Sequence, residues 1–363
     1  MFQFLRPKIQ SFGIDLSDFS IKIISLEKKA KKISLASFGR QEIASGVIEE
    51  GEIKKEAELI ETIKKALKEI RGASLKNRHC VVSLPETESF IRILQLPMMK
   101  KEEVGEAIKW EIETNIPLGL SEIYYDWQVI SEQNKDGNQQ RLDVLVGVLP
   151  KKTVDPYLSV LKAAGLSPTV FEIESLAITR ALMKDTFCQE PTLIIDLGAK
   201  KTSLVIFCGQ AVYFTASLPV SNISLITILS EKLNIDLGQA RQLKIQQGLG
   251  YENPQNQIFQ ALKPSLDEMA NKVKSYIDFF EFHASVNLGA PNNKIKEVIL
   301  CGGGANFSGI EKFLQAELKI NVKVGNPWLN AFTETTPNLS DFPTQESLSY
   351  TTAIGLALRG ISN

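Results

Sequence analysis

The sequence predicts an α/β protein built from two lobes that face each other. The prediction rests on two segments with one pattern, FGIDLSDFSIKIISL at residues 12–26 and LIIDLGAKKTSLVIF at residues 193–207. Each has an apolar strand that ends in aspartate, a tight turn of small or hydroxyl residues, and a second apolar strand. Asp15 and Asp196 hold the same place in the two copies. A single copy also reads as an ordinary β-hairpin, so the duplication carries the prediction.

A glycine-rich segment, EVILCGGGANFSGIEKFL at residues 297–314, is the third observation. An apolar strand at 298–301 runs into three glycines and then into an amphipathic helix. Successive glycines let the backbone approach a ligand closely, and a helix N-terminus offers unpaired N–H groups. The segment is not a Walker or dinucleotide motif, because the glycine spacing differs and no Lys-Ser/Thr pair follows. A glycine-rich turn packed for tightness is the alternative.

The two hairpins and the glycine turn together suit a nucleotide with its metal. A hydroxyl-lined turn can aim several backbone N–H groups at a phosphate. Its aspartate can hold a hydrated divalent cation, since Mg²⁺ prefers oxygen ligands and retains waters. We therefore expect two lobes that close on one nucleotide.

Composition limits the class of protein further. The chain has 363 residues, 44% of them hydrophobic, and a formal net charge of −1. It is long enough for more than one domain, and its neutral charge argues against nucleic acid as the main partner. The cysteines are far apart and indicate reduced core residues of a cytoplasmic protein. No continuous apolar run is long enough to span a membrane, and residues 1–10 do not read as a secretory signal, so membrane association is expected only through a partner.

The elements follow in order along the chain. In the first lobe we predict strands at 12–16, 21–26, 33–42 and 80–84, and a helix over 53–70 from its apolar spacing. Strands at 90–96, 124–130 and 142–149 and helices at 101–114 and 153–164 follow. A polar turn at 134–140 joins the last two of these strands. A helix at 172–183 leads to the second lobe, which has a long helix at 266–284. A further helix at 351–359 follows near the C-terminus.

Five further segments form an ordered series that covers nearly the whole chain. The most specific is LPMMKKEEVGEAIKWEIETNIPLGLSEIYYDWQVI at 96–130, and the others are FEIESLAITRAL at 171–182, LNIDLGQARQLKIQQGL at 233–249, VKVGNPW at 322–328 and AIGLALRG at 353–360. With the two hairpins, they resemble the actin-like ATPase superfamily. Within it they resemble the type IV pilus assembly family PilM, a relative of the division protein FtsA.

This resemblance implies an actin-like, ribonuclease H-like fold of two lobes with an FtsA-type small subdomain inserted in the first. The implied domains are the first lobe at 1–84, the insert at 85–168, a return to the first lobe with a connecting helix at 169–191, the second lobe at 192–350 with a helical subdomain at about 223–290, and a C-terminal helix at 351–363 that packs back on the first lobe.

The resemblance also implies ligands for ATP and Mg²⁺ in the two hairpins. Asp15 and Asp196 would hold the metal through water. Ser17 and Ser20 would hydrogen-bond phosphate oxygens, and Lys22 would neutralise phosphate charge.

Further ligands are implied in the second lobe. Gly198, Lys201 and Thr202 would form the second phosphate clamp. Lys244 would pack beside the adenine or ribose. The adenosine side would be lined by Gly302, Gly303 and Gly304.

Glu174 falls where actin-like proteins place the residue that orients the attacking water, which makes it the catalytic candidate. The alternative is an acidic residue favoured by the helix dipole. The first hairpin departs from the family pattern, because Ser17 replaces a glycine and Asp18 puts an acid in the phosphate turn. Such a carboxylate repels a triphosphate by about 1 kcal/mol or more. Arg241 also stands where the family often has an acid, so at most weak ATPase activity is expected.

The implied function is a cytoplasmic nucleotide-binding scaffold, peripheral to the inner membrane, that docks the N-terminal cytoplasmic tail of a PilN-like protein. Contacts with pilus assembly ATPases and homo-oligomers stay open. FtsA-like proteins that bind lipid carry an amphipathic tail, and the end of this chain at Asn363 favours the pilus branch. The alternatives are a filament-forming or FtsA-like division ATPase, a GspL-like component of type II secretion, and a small-molecule kinase of the same fold.

Overall fold

Two large β-sheets and a smaller third sheet organise the chain. The computed structural model describes residues 10–29, 32–86, 89–135, 139–184, 188–287, 293–332 and 342–362. In these ranges a six-stranded and a five-stranded sheet form the cores of the two lobes, and a three-stranded sheet forms the insert. The α/β fold class predicted from the sequence is confirmed.

The first lobe begins with a meander of antiparallel strands. Its elements are β1 (Phe12–Leu16), β2 (Ser20–Lys29), β3 (Lys32–Glu42), β4 (Ile48–Glu49), β5 (Glu52–Ile53), α1 (Glu56–Lys68), β6 (Arg71–Gly72) and β7 (His79–Leu84). β1 pairs antiparallel with β2 and parallel with β7. Because β1 is buried along its whole length, its side chains are apolar except at the end that carries Asp15.

The insert is an antiparallel sheet covered by one helix. It comprises β8 (Phe90–Pro97), α2 (Lys101–Asn115), β9 (Ile123–Lys135) and β10 (Gln139–Pro150), with β10 in the middle of the sheet. Val104, Ile108 and Ile112 lie at helical spacing on α2 and pack on alternate residues of β10, including Val144 and Val146. The insert therefore has a core of its own. The turn predicted at 134–140 lies partly outside the described residues.

After the insert the chain returns to the first lobe through α3 (Lys151–Ala163), β11 (Ser167–Ile173) and α4 (Glu174–Leu182). α3 buries Val154, Tyr157 and Leu161 in the first-lobe core, and β11 pairs parallel with β7. The sequence prediction of a helix over 172–183 was wrong at its start, because residues up to Ile173 form a strand. We propose that the insert ends near residue 150 and not at the predicted 168.

The second lobe repeats the topology of the first. Its elements are β12 (Cys188–Leu197), β13 (Thr202–Gly209), β14 (Ala211–Leu218), α5 (Asn222–Leu233), α6 (Leu237–Gln247), α7 (Gln257–Asn287), β15 (Glu297–Cys301), α8 (Ile310–Leu318) and β16 (Asn321–Val324), and the last helix of the chain is α9 (Thr351–Ser362). β12 pairs antiparallel with β13 and parallel with β15, as β1 does with β2 and β7. The duplicated hairpin is thus confirmed as a repeated unit of structure.

The glycine turn differs from its prediction. Residues Gly303–Asn306 form a 3-10 turn, and α8 begins only at Ile310. The N-terminus of a helix therefore does not follow the glycines directly. Phe313 and Leu314 are buried, as the amphipathic pattern predicts.

Small residues let α9 lie close to the first lobe. A Cβ on Gly13 would lie 2.3 Å from the Ala353 carbonyl oxygen, and one on Gly355 would lie 1.9 Å from that of Ala177. The segment AIGLALRG is consequently a close-packing surface for β1 and α4.

Two predictions from composition can be compared with the described residues. Cys80, Cys208 and Cys301 are buried and not joined in disulfides, and the side chain of Cys188 lies outside what the structure describes. Among the described helices, none is long and apolar enough to cross a membrane.

Candidate functional site

A cleft of about 1490 Å³ lies between the lobes, and both hairpins and the glycine turn line it. The first hairpin contributes Asp15, Ser17, Ser20 and Lys22 to its walls. The second contributes Asp196, Gly198 and Lys201, and Glu174, Lys244, Gly302 and Gly303 complete the predicted residues found there. Asp15 and Asp196, which are 181 positions apart in sequence, therefore line the same cavity.

Asp15 is held in one orientation from two sides. Its Oδ2 accepts a hydrogen bond from Lys22 Nζ at 3.2 Å, and its Oδ1 accepts one from Ser83 Oγ at 3.0 Å. Lys22 lies opposite Asp15 in the β1–β2 register, which places the two side chains together. Ser83 is a site residue that the sequence reasoning missed. Its signal was a hydroxyl within the apolar run Cys80–Leu84 of β7.

Ser17 shapes the first phosphate turn. Its Oγ donates to the Ser20 carbonyl oxygen and accepts from the Ser20 N–H, both at 3.1 Å. Ser20 itself is buried. The Ser17 hydroxyl therefore stabilises the turn, and both serines line the cleft.

Asp18 has a structural partner that the sequence did not indicate. Its carboxylate accepts from the Glu50 N–H at 2.8 Å and from the Gly51 N–H at 2.9 Å. Both residues have positive φ, as in the tight turns that join two strands of a hairpin. Asp18 thus anchors the turn between β4 and β5. This attachment revises the expectation that its carboxylate is free to repel phosphate.

The second hairpin brings Asp196 against the glycine turn. Gly302 has φ of +80°, and a Cβ on it would lie 2.1 Å from Asp196 Oδ1. Burial, and secondarily the negative charge of Glu174, raises the pKa of Asp196 to about 7. A cation bound beside this carboxylate would stabilise its charged form, which burial disfavours.

Two predicted residues lie apart from the others. Thr202 is fully buried, and its Oγ1 donates to the Val220 carbonyl oxygen at 2.6 Å. Gly304 packs on β12, where a Cβ would lie 2.8 Å from Leu197 Cβ. Neither is among the residues that line the cleft, and the structure places both at packed positions.

Glu174 and Lys201 connect the two lobes across the cleft. Glu174 begins α4, and its Oε2 lies 3.4 Å from Lys201 Nζ in the turn between β12 and β13. Burial raises the pKa of Glu174, and the charge of nearby Asp15 raises it further. Burial alone would lower the pKa of Lys201, but the carboxylates of Glu174 and Glu86 raise it. The ion pair therefore places a cation and a potential proton acceptor at the same point of the cleft.

Lys244 lies on the far side of the cleft in α6. Its Nζ donates to Asn222 Oδ1 at 2.8 Å and lies 4.2 Å from the ring centroid of Phe307. Burial lowers its pKa to about 8. Asn222 and Phe307 also line the cleft and were missed in the sequence, although Phe307 ends the motif GGGANF. This side combines an aromatic ring, an amide and a lysine.

The donor set fits Mg²⁺ bound together with phosphates. Among the described residues there is no group of three or more His, Cys, Asp or Glu side chains that could hold a metal alone. Mg²⁺ usually binds through one or two carboxylates plus phosphate oxygens and water. Asp15 and Asp196 supply two carboxylates, and Lys22 and Lys201 supply charge for the phosphates. Because residue 302 is a glycine, space remains beside Asp196 that a side chain at this position would fill.

Comparison with solved structures identifies the class as the actin-like ATPase fold. The PilM-PilN type IV pilus biogenesis complex matches with a TM-score of 0.79 and 24% identity, over 98% of this chain and 99% of that chain. Ethanolamine utilization protein EutJ from Carboxydothermus hydrogenoformans matches at 0.55 and 15%, over 98% and 90%. MreB5 of Spiroplasma citri bound to ADP matches at 0.52 and 13%, over 90% and 94%. At these identities the likeness shows the fold.

The family follows from the sequence itself. Residues 13–361 match the family described as type IV pilus assembly protein PilM, and the chain belongs to this family. The cell division protein FtsA of Enterococcus hirae is 23% identical over 199 residues, which is 49% of this chain and 43% of that protein. The match thus spans less than half of that relative. The family resemblance seen in the sequence motifs is confirmed.

Proposed function

We propose that the protein is a cytoplasmic scaffold of a type IV pilus machine that binds MgATP between its lobes and docks the N-terminal tail of a PilN-like membrane protein. One observation supports nucleotide binding. Each lobe has a hairpin whose first strand ends in an aspartate, both hairpins line the same cleft, and a lysine lies beside each of them. The partner half rests on family membership and on the PilM-PilN complex as a structural relative.

Within this proposal the cleft residues divide into three groups. Asp15 and Asp196 would hold Mg²⁺ through water, and Lys22 and Lys201 would bind phosphate oxygens. Lys244 and Phe307 would contact the base or ribose, since an aromatic ring beside a lysine suits a flat polar ligand. A structural relative, MreB5, is described as bound to ADP. Bound MgATP supplies a phosphoryl group that water can attack.

Slow or undetectable hydrolysis is part of the proposal. Glu174 is the residue that would position the water, and it is already paired with Lys201 at 3.4 Å. The Lys201 ammonium group occupies the carboxylate that would have to orient the attacking water. The protein would accordingly use nucleotide mainly to set its conformation.

The peptide site is proposed between the first lobe and the insert. Tyr124 of β9 is 46% exposed at this junction, and its hydroxyl donates to Asp155 of α3 at 3.0 Å. Lys151 lies 5.4 Å from the Tyr124 ring centroid. A disordered tail could order here on binding, with the insert sheet and α3 as the walls of its groove.

Thermal-shift titration with MgATP tests the nucleotide half. Wild type should be stabilised in proportion to the logarithm of ligand concentration, by about 2.7 kcal/mol at a hundred times Kd. Asp196→Ala should weaken this stabilisation, whereas Asp278→Ala, an exposed aspartate on α7, should leave it unchanged. Equal affinity in wild type and Asp196→Ala would show that the cleft is not the site.

Calorimetry with a synthetic N-terminal tail of the PilN-like protein from the same operon tests the partner half. We expect binding at about 10–100 μM or tighter. Tyr124→Ala should weaken binding, and Phe282→Ala, which removes an aromatic ring that is 70% exposed in the second lobe, should not. Absence of binding at these concentrations would remove the partner from the proposal.

A further inference from the structure

Glu86 is a buried carboxylate at the point where the chain leaves the first-lobe sheet for the insert. It lies between β7 and β8, and its side chain is only 7% exposed. Its Oε2 accepts from the Ser175 N–H at 3.2 Å, and its Oε1 accepts from Ser175 Oγ at 3.1 Å. Ser175 lies in the first turn of α4.

This contact caps α4 from a distant part of the chain. The first N–H groups of a helix need partners from outside the helix, and a carboxylate there also gains from the helix dipole. Ile173, which precedes α4, has an apolar side chain and cannot supply that partner. Glu86 therefore fixes the N-terminus of the helix that carries Glu174 into the cleft.

Glu86 also interacts electrostatically with groups in the cleft and in the second lobe. Burial raises its pKa, the negative charge of Glu174 raises it further, and hydrogen bonding to Ser175 and Thr215 lowers it. Thr215 lies on β14 of the second lobe, and Lys201 of the same lobe interacts electrostatically with Glu86. One side chain thus connects the insert, the connecting helix and the second lobe.

Phosphate binding would change this arrangement. Lys201 is held by Glu174 at 3.4 Å, and a triphosphate would compete for the same ammonium group. Withdrawal of Lys201 leaves Glu174 and Glu86 as two neighbouring buried acids. Their mutual repulsion then favours a shift of α4 relative to the segment that carries Glu86.

We propose that Glu86 is a positioning residue that couples nucleotide occupancy of the cleft to the orientation of the insert, so that nucleotide and partner peptide bind interdependently. The inference rests on the proposed function, because it requires a nucleotide in the cleft. Coupling of this kind is reciprocal, so each ligand changes the affinity for the other by the same factor.

Hydrogen exchange with MgATP as the probe tests the coupling without a partner. In the wild-type chain MgATP should slow exchange around Gly302–Asn306 and also change exchange in β8 and α2 of the insert. In Glu86→Gln the cleft should still respond, and the change in the insert should be lost. Ser175→Ala removes one of the two hydrogen bonds and should reduce the change in part. The matched control Glu113→Gln, at an exposed position on α2, should behave as wild type.

Peptide affinity gives a second readout that a merely structural role would not alter. The ratio of peptide Kd without and with MgATP should be about fivefold or more in wild type and close to one in Glu86→Gln. A wild-type cleft that fails to respond to MgATP overturns the proposed function and this inference together. A cleft that responds while the insert does not overturns the inference alone, as does full coupling in Glu86→Gln.

Discussion

Gly302 sets the distance between the glycine turn and Asp196. A Cβ at this position would lie 2.1 Å from Asp196 Oδ1 and 2.7 Å from the Leu197 carbonyl oxygen, and the residue has φ of +80°. Non-glycine residues rarely adopt such a φ, and real Cβ atoms do not approach oxygen so closely. The conformation and the space at Gly302 therefore both require glycine.

We expect Gly302→Ala to destabilise the protein by more than about 2 kcal/mol, because left-handed strain and a steric clash add. MgATP binding should fall with it, since Asp196 must move. The neighbouring Gly303→Ala is the matched control, because its Cβ would have Ser349 Cβ at 3.6 Å as the nearest atom, which is ordinary contact. Urea denaturation of both variants provides the measurement, and equal stability of the two would contradict the argument.

Lys244 gives a pH-dependent prediction. Its pKa falls to about 8 in the folded protein, from the ordinary value of 10.5, because the ammonium group is buried. Between these values the unfolded chain binds more protons than the folded one, so this group makes stability rise with pH. Lys244→Met removes the titrating group and with it this contribution to the pH dependence of stability. The variant should be more stable than wild type near pH 7 by up to about 2–3 kcal/mol, and the difference should shrink toward pH 10.

Chemical denaturation at several pH values measures this difference, and contributions from other groups cancel when the two proteins are compared. Lys232→Met, at an exposed position on α5, is the control and should show a constant small difference. If the difference in unfolding free energy between Lys244→Met and wild type does not change between pH 7 and pH 10, the lysine is not desolvated.

At the scale of elements, the sequence predicted the repeated hairpins because strand pattern and turn chemistry are local. β1 was predicted with its observed bounds. β11 was missed, because Ser167–Ile173 contains Pro168 and the charged Glu172, which obscure an edge strand of the six-stranded sheet. The partners of Glu172 are Arg180 and Arg359, and the second is 187 positions away in sequence. No local pattern indicates such a pairing, and the same holds for Asp18 with Glu50 and for Glu86 with Ser175.

The Glu172 ion cluster joins β11, α4 and α9. Glu172 is 2% exposed, and its Oε1 accepts from Arg180 Nη2 and Arg359 Nη1, both at 2.6 Å. Glu172→Gln should cost about 2–4 kcal/mol of unfolding free energy, because two partly buried guanidinium groups lose their counter-charge. Glu61→Gln breaks an exposed pair with Lys64 and should cost less than about 0.5 kcal/mol. Similar losses in the two variants would mean that the cluster adds nothing beyond a surface pair.

At the scale of the whole molecule, the two lobes form one unit and the insert forms a second unit that we expect to be separable from it. The insert has its own core, whereas the residues that follow it in sequence complete the core of the first lobe. In the sheet of the insert Phe90 lies directly opposite Val148, so the chain leaves and returns at neighbouring positions. The family resemblance predicted that an insert exists, and the periodicity predicted its strands and helices. They could not locate its end, because helix α3 has the same amphipathic pattern whichever core it covers.

Two deletions test this division of the chain. Replacement of residues 90–148 by a flexible linker of about four residues should leave a protein that unfolds cooperatively and binds MgATP, because paired strand positions lie only about 5 Å apart. It should no longer bind the partner tail, since one wall of the proposed groove is gone. Replacement of residues 85–168 should prevent folding, because it removes Val154, Tyr157 and Leu161 from the first-lobe core. Calorimetric unfolding distinguishes the two proteins. If the longer deletion folds as well as the shorter one, α3 belongs to the insert and the boundary near residue 150 is wrong.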